Sequence, residues 1–325
     1  MSEAEQQSIP EELAELQRVN YRQGELIAAL IAKQPVAPAP EVEIPHVDPP
    51  EVTPPVSGGQ GETEPTRREI IATSGNVGIE EFRRTGPKAF RDFRVIGGGD
   101  TPHINTTGVR IVAPRPSVLL EDFEVGHLAH GVTVHGNGDD LIDGITLRRG
   151  YVHHIWNDEP GKDVRSSREH GVYGANARDI TLEDMLIEDC GFGGVYLRDI
   201  YSHLAYVVNN VGLLTLRRCI LRRGASHAIN GGRVEMDGVI CCESAINFGV
   251  KEVAGKAKDC YSIAPSKDPI YHEDGTGGPR GWHHYPDYPI DGLIKLDAYP
   301  DAWDWSAIRA ADAKDRFDIA EGMLR

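Results

Sequence analysis

The sequence predicts an all-β solenoid, and three observations predict it. A hydrophobic-Thr-Leu phrase recurs as Val118-Leu119-Leu120, Ile145-Thr146-Leu147, Ile180-Thr181-Leu182, Leu214-Thr215-Leu216 and Val234-Glu235-Met236. Its closing residues are 27, 35, 34 and 20 positions apart, the spacing of short repeats with loops inserted into some turns. A second phrase follows each first one: His130-Gly131-Val132, His170-Gly171-Val172, Gly193-Gly194-Val195, His227-Ala228-Ile229 and Ser244-Ala245-Ile246. Glycines stand at the phrase edges (Gly126, Gly136, Gly150, Gly191, Gly212, Gly224, Gly238), where sharp corners call for left-handed backbone.

Both phrases alternate apolar and polar residues with the period of a strand, and Val, Ile, Thr, Leu and Tyr dominate them. Coils of this kind stack in parallel, and the crossover rule makes the coil right-handed. Leu120, Leu147, Leu182, Leu216 and Met236 then form one inward column, and Val132, Val172, Val195, Ile229 and Ile246 a second. A leucine-rich repeat would need an Asn-anchored consensus and helical convex faces, and a propeller blade would need longer steps. Over residues 90–260 the pattern resembles the right-handed parallel β-helix superfamily, which includes pectate-lyase-like enzymes and phage tailspikes. The resemblance implies a single-stranded right-handed parallel β-helix; it does not by itself imply an activity.

The elements follow in order. Residues 1–34 are expected to carry an oligomerisation or docking helix. Ser8 can cap it, Pro10 sits in its first turn, and Glu11 and Glu12 lie beside the positive end of its dipole. Leu13, Leu16, Asn20, Gln23, Ile27 and Leu30 fall at a/d spacing, as in a short parallel coiled coil whose register is set by polar residues. An amphipathic helix lying on another surface fits equally well. Residues 35–66 form a Pro-rich linker of polyproline II composition, with a reach of about 90 Å at about 3 Å per residue. Residues 67–260 are the β-helix: Ile79 to Phe82 are expected as a cap helix, Phe93 to Ile96 as a first strand, and 101–260 as the coils. Residues 261–325 are expected as a C-terminal cap region, with a helix from Ser306 to Leu324.

Composition narrows the functional classes. The 325 residues carry a net charge of −16 and a pI near 5.2, with no basic stripe to neutralise phosphates, so nucleic acid is not an expected partner. The five cysteines (Cys190, Cys219, Cys241, Cys242, Cys260) lack CxxC spacing and read as small buried residues. The N-terminus lacks the basic and apolar regions of a signal peptide, and no apolar run reaches the 18 residues expected of a span. The expectation is synthesis in the cytoplasm without a signal peptide, no membrane span and no cofactor.

Stacking places equivalent residues of successive coils about 4.8 Å apart. One ladder is then His130, His170, Gly193, His227, Ser244, and a second is Thr133, Tyr173, Tyr196, Asn230, Asn247, with His135, Arg198 and Asp199 beside them. The long insertion from Tyr151 to Glu169 brings Trp156 near His170. Aromatic faces stack on sugar rings and amides bond sugar hydroxyls, so Trp156, His130, Tyr196, His227, Asn230 and Asn247 are candidate glycan-binding residues. Solvated polar surface or a subunit contact is the alternative. In an enzyme of the lyase or epimerase kind, His170 and Tyr173 would be the acid/base candidates and Arg198 the charge neutraliser. A hydrolase needs a carboxylate pair; Asp139-Asp140 belongs to a turn built of Gly136, Asn137 and Gly138. No dedicated metal site is expected: His283 and His284 with His272 could bind a metal, and a structural role in the cap is the reading preferred.

The layout of helix, linker and solenoid resembles phage tailspikes, fibres and head-decoration proteins. The expected function is therefore that of a virion-type structural protein that binds surface glycans. Its expected partners are itself, as a homotrimer, and virion capsid or tail proteins through the N-terminal helix and linker; its expected location is the virion, or outside the cell after lysis. A polysaccharide lyase, epimerase or hydrolase on the same fold is the alternative, and a bacterial adhesion module a third.

Overall fold

The computed structural model describes residues 68–73, 76–81, 88–98, 105–112, 116–136, 141–157, 169–191, 201–208, 212–271 and 277–325. The expected N-terminal helix with Leu13, Leu16, Asn20, Gln23, Ile27 and Leu30, and the Pro-rich linker, lie outside the described residues, as do Asp139, Asp140, Tyr196 and Arg198.

The strands in chain order are β1 (Arg68–Ala72), β2 (Val77–Glu81), β3 (Lys88–Gly97), β4 (Thr107–Val112), β5 (Pro116–Leu128), β6 (His130–His135) and β7 (Asp143–Ile155). Next come β8 (His170–Ala175), β9 (Ile180–Glu183), β10 (Leu186–Cys190), β11 (His203–Val208), β12 (Leu214–Gly224) and β13 (His227–Cys242). The chain ends with β14 (Ile246–Val253), β15 (Lys258–Ile263), β16 (Pro269–Tyr271), β17 (Gly277–Pro279), β18 (Trp282–His284), β19 (Leu293–Leu296), α1 (Trp305–Ala310) and α2 (Arg316–Leu324). Among the described residues, seventeen strands form one sheet, parallel at every pairing, and β16–β17 form a small antiparallel pair.

The pairing pattern carries the architecture. One ladder joins β1, β3, β5, β7, then β9 and β10, then β12, β13, β15 and β19. The other joins β2, β4, β6, β8, β11, β13, β14 and β18. The chain visits the two ladders alternately, and the long β13 contributes to both. This all-parallel alternation is what an all-β solenoid requires.

The core follows from the register. Leu120, Leu147, Leu182, Leu216 and Met236 pair in sequence, each at most 2% exposed, as the phrase alignment expects. The second column is Val132, Val172, Ala205, Ile229 and Phe248, all fully buried. Two members differ from expectation. Ala205 of β11 takes the place assigned to Val195, and Phe248 that assigned to Ile246, which lies opposite His227 instead.

Corners are made by residues in the left-handed region, and they too stack. Asp92, Asp122, Arg149, Asp184, Arg218, Gly238 and Asp259 occupy equivalent positions with φ between 48° and 74°. His127, His154, Asp189, Arg223, Glu243 and Ala264 form a second corner column with φ of 41–56°. Non-glycine residues are uncommon there, and Asp and His are among the types that tolerate it. Beside the first corner runs an outward column of alternating sign: Arg91, Glu121, Arg148, Glu183, Arg217, Asp237, Lys258. Glu121 accepts hydrogen bonds from Arg91 and Arg149 (both 2.6 Å) and from Arg148. The Arg91 bond, with those from Arg148 and Arg149, overcomes burial and holds its carboxyl at about 2.

The ends depart from expectation. Residues 79–81 belong to β2, paired with β4, and do not form a cap helix. At the other end β18 and β19 extend both ladders to Leu296, beyond the expected limit at residue 260. The helix expected over 306–324 is two helices, because Ala311 adopts extended backbone (φ −74°, ψ 153°). Both lie along the flank, where Ile308, Phe317 and Ala320 cover the outward apolar column Leu186, Ile220, Ile240 and Tyr261. Arg309 of α1 clamps the buried Glu188 with two hydrogen bonds (2.8 and 2.7 Å), and Tyr151 Oη adds a third (2.6 Å). The five cysteines are buried free thiols, and burial pushes Cys219 and Cys260 up to about 12, so they are packing groups. No described helix is long and apolar enough to cross a membrane.

Candidate functional site

The second ladder places a histidine at the start of four successive strands. Register puts His130 of β6, His170 of β8, His203 of β11 and His227 of β13 in one column. His170, His203 and His227 are buried; His130 is half-buried. The His170 and His203 rings stack (5.3 Å between centroids, 14°), and His203 meets His227 edge-on at 4.7 Å.

Hydrogen bonds fix these rings. The His203 backbone N–H donates to His170 Nδ1 (3.3 Å). Asn230 Nδ2 donates to His203 Nε2 (3.4 Å), which leaves the His203 proton on Nδ1, facing His227 Nδ1 at 3.2 Å. His227 Nδ1 also lies 2.7 Å from Ser226 Oγ, and its Nε2 lies 2.8 Å from Tyr285 Oη. Burial is the main reason His227 drops to about 3, with the Arg280 charge adding to it; burial and two histidine neighbours push His203 well below its ordinary range.

Three residues further along each strand the side chains emerge half-buried: Tyr173, Tyr206 and Asn230 in one column, preceded by Thr133 and by the Arg110–Glu80 pair. Tyr173 stacks on His170 (5.1 Å, 15°), and Tyr206 meets His170 and His203 edge-on (5.1 and 4.7 Å). Tyr173 and Tyr206 are 5.8 Å apart. His135 tilts against Tyr173 at 5.0 Å, and Tyr285 continues the face to Tyr288 at 6.1 Å. Tyrosine rings backed by a buried histidine column are the outcome: an apolar surface with hydroxyl and amide groups at its edge.

The candidates separate on this geometry. His130, His170, His227, Tyr173 and Asn230 share the face. Asn247 does not: it is fully buried, accepts from Ser244 N (3.2 Å), and donates to Ser262 Oγ (3.0 Å) and the Ile263 carbonyl (3.1 Å). Ser244 is likewise internal and caps Gly224 N (2.9 Å). Trp156 packs its ring against His154 at the ladder-one corner (5.7 Å). Sequence reasoning missed His203, Tyr206 and Tyr285. The signal for the first two was present, since His203-Leu204-Ala205-Tyr206 repeats the alternation of His170-Gly171-Val172-Tyr173 without its glycine. A separate group, His127 with His153 and His154, lies at the corner of ladder one.

Proton abstraction requires a base within hydrogen-bond reach of substrate. His170 is 3% exposed and sandwiched among Tyr173, Tyr206 and His203, so what faces outward is the tyrosine row and Asn230. No family model matches the chain, and no curated protein or solved structure matches it either.

Proposed function

We propose that the chain is a right-handed parallel β-helix of the virion-associated structural kind, whose Tyr173–Tyr206–Asn230–Tyr285 face holds a neutral glycan without cleaving it. The observation that carries this reading is the row of half-buried tyrosine rings, fixed from behind by histidines that are themselves buried and hydrogen-bonded. Rigid aromatic faces with a few polar groups at their edge suit sugar rings and their hydroxyls. The net charge of −16 favours a neutral chain over a uronate polymer. In this reading residues 1–34 dock the protein on a particle or join three copies, the linker spaces it, and the solenoid projects outward after release by lysis.

The test is binding to a panel of neutral and acidic polysaccharides by the parent chain and by Tyr206→Ala. Retention on a neutral glycan, weakened about tenfold or more by the substitution, supports the reading. No retention on any glycan, or retention unaffected by Tyr206→Ala, refutes it.

A further inference from the structure

The geometry points to a binding site for one divalent transition-metal ion, of the zinc kind, formed by His127, His153 and His154 at a ladder-one corner. One ring nitrogen from each of the three lies within 4.8 Å of the others. His127 comes from β5, and His153 and His154 from the strand stacked on it, so the ion would tie two successive rungs together.

Several features of the corner serve this arrangement. His127 and His154 occupy the same corner position on consecutive rungs, both in the left-handed region (φ 56° and 52°), and their rings stack at 4.7 Å and 20°. That backbone turns both side chains to the same edge. His153 is buried, and its ring lies over Gly126 of the rung before. A Cβ on Gly126 would fall 2.4 Å from the ring, so glycine is what leaves the cradle open. Glu124 Oε1 lies 3.2 Å from His153 Nε2 and is also bonded by Arg94 (3.1 Å). This is the carboxylate–imidazole pairing that orients metal-ligating histidines and directs the other nitrogen at the ion. His153 Nδ1 accordingly faces His154 Nδ1 at 2.8 Å. Two imidazole nitrogens at that distance need a proton or a cation between them. Tetrahedral zinc, with Zn–N of about 2.05 Å, sets ligand nitrogens about 3.3 Å apart, so the rings need open by only about 0.5 Å. Two half-exposed histidines and one buried one leave the fourth position on the solvent side, for water or an oxygen ligand.

The alternative is a simple stack of hydrogen-bonded histidines, and the test separates the two. The full chain, without an affinity tag, is stripped with chelator and titrated with Zn²⁺ alone. Binding is followed by calorimetry, and the melting temperature is read with and without metal. The expected result is one Zn²⁺ per chain, a higher melting temperature in its presence, and affinity reduced about 10- to 100-fold or more by His127→Asn or His154→Asn. Asparagine accepts left-handed backbone, so the metal-free variants should melt near the metal-free parent. Gly126→Ala, which fills the cradle beneath His153, should weaken binding as well, and His284→Asn should leave it unchanged. Absence of stoichiometric binding overturns the proposal, as does binding that survives His127→Asn and His154→Asn or is lost instead with His284→Asn.

Discussion

Acidification should destabilise this protein well before its carboxylates titrate, because His203 and His227 are buried and hard to protonate in the fold. His227 sits at about 3 in the fold against 6.5 unfolded, mainly through burial. Above 6.5 both states are neutral and the column costs nothing. Below 6.5 the unfolded chain takes up a proton that the folded chain refuses until about pH 3, so stability falls with falling pH through this window. Between about pH 7.5 and about pH 5 the loss from His227 alone is about 2 kcal/mol, from 1.36 kcal/mol per pH unit over about 1.5 units. His203 is shifted in the same direction by burial, His227 and His170, and deepens the fall. His135, lowered chiefly by burial, acts the same way. Urea unfolding at the two pH values measures the drop. In His227→Gln the drop should be smaller by about 2 kcal/mol, whatever the substitution costs at pH 7.5. Equal stability at both pH values, or an unchanged drop in His227→Gln, would refute the argument.

Three further outcomes follow from the packing. Glu121→Lys sets a cation against Arg91, Arg148 and Arg149 at a site 5% exposed and should cost at least about 3 kcal/mol by urea midpoint. Gly131→Ala should fail to fold or should aggregate on expression, because the new Cβ would lie 2.2 Å from the Gly171 carbonyl oxygen of the next rung. Arg309→Ala removes two hydrogen bonds from Glu188, leaving it Tyr151 and Arg222, and should cost about 3 kcal/mol. In the same variant, hydrophobic dye binding should rise as the helices loosen from Leu186, Ile220 and Ile240.

The ladder-one phrases were legible because their register is stated several times over. The leucine column is reinforced by a charge code: Leu120-Glu121-Asp122, Leu147-Arg148-Arg149, Leu182-Glu183-Asp184 and Leu216-Arg217-Arg218 alternate in sign from rung to rung. Exposed pairs of this type add little stability each, but a slip by one rung would set like charges opposite one another. The second ladder was harder to read. Gly193-Gly194-Val195-Tyr196 and His203-Leu204-Ala205-Tyr206 both carry the alternation, and glycine decided wrongly, because Leu204 is buried where other rungs have Gly131 and Gly171. Asn247 was misplaced by two residues, since Gly249 lies opposite Asn230, for a related reason: a buried amide bonded to Ser262 and Ile263 reads in sequence like an outward one. The continuation past residue 260 was hidden because Trp282–His284 and Leu293–Leu296 are short and share no phrase with earlier rungs. The histidine cluster at 127, 153 and 154 depends on stacking 26 and 27 positions apart, which only the register reveals.

The measurement that bears most directly on the central claim follows binding and turnover in one sample. The parent chain is incubated with a neutral glycan it retains, and bound glycan, new reducing ends and new unsaturated ends are recorded together over time. The account predicts saturable binding with neither kind of new end. New ends that accumulate with the parent chain and disappear with His170→Ala and Tyr173→Phe would contradict it and make the tyrosine face an active site.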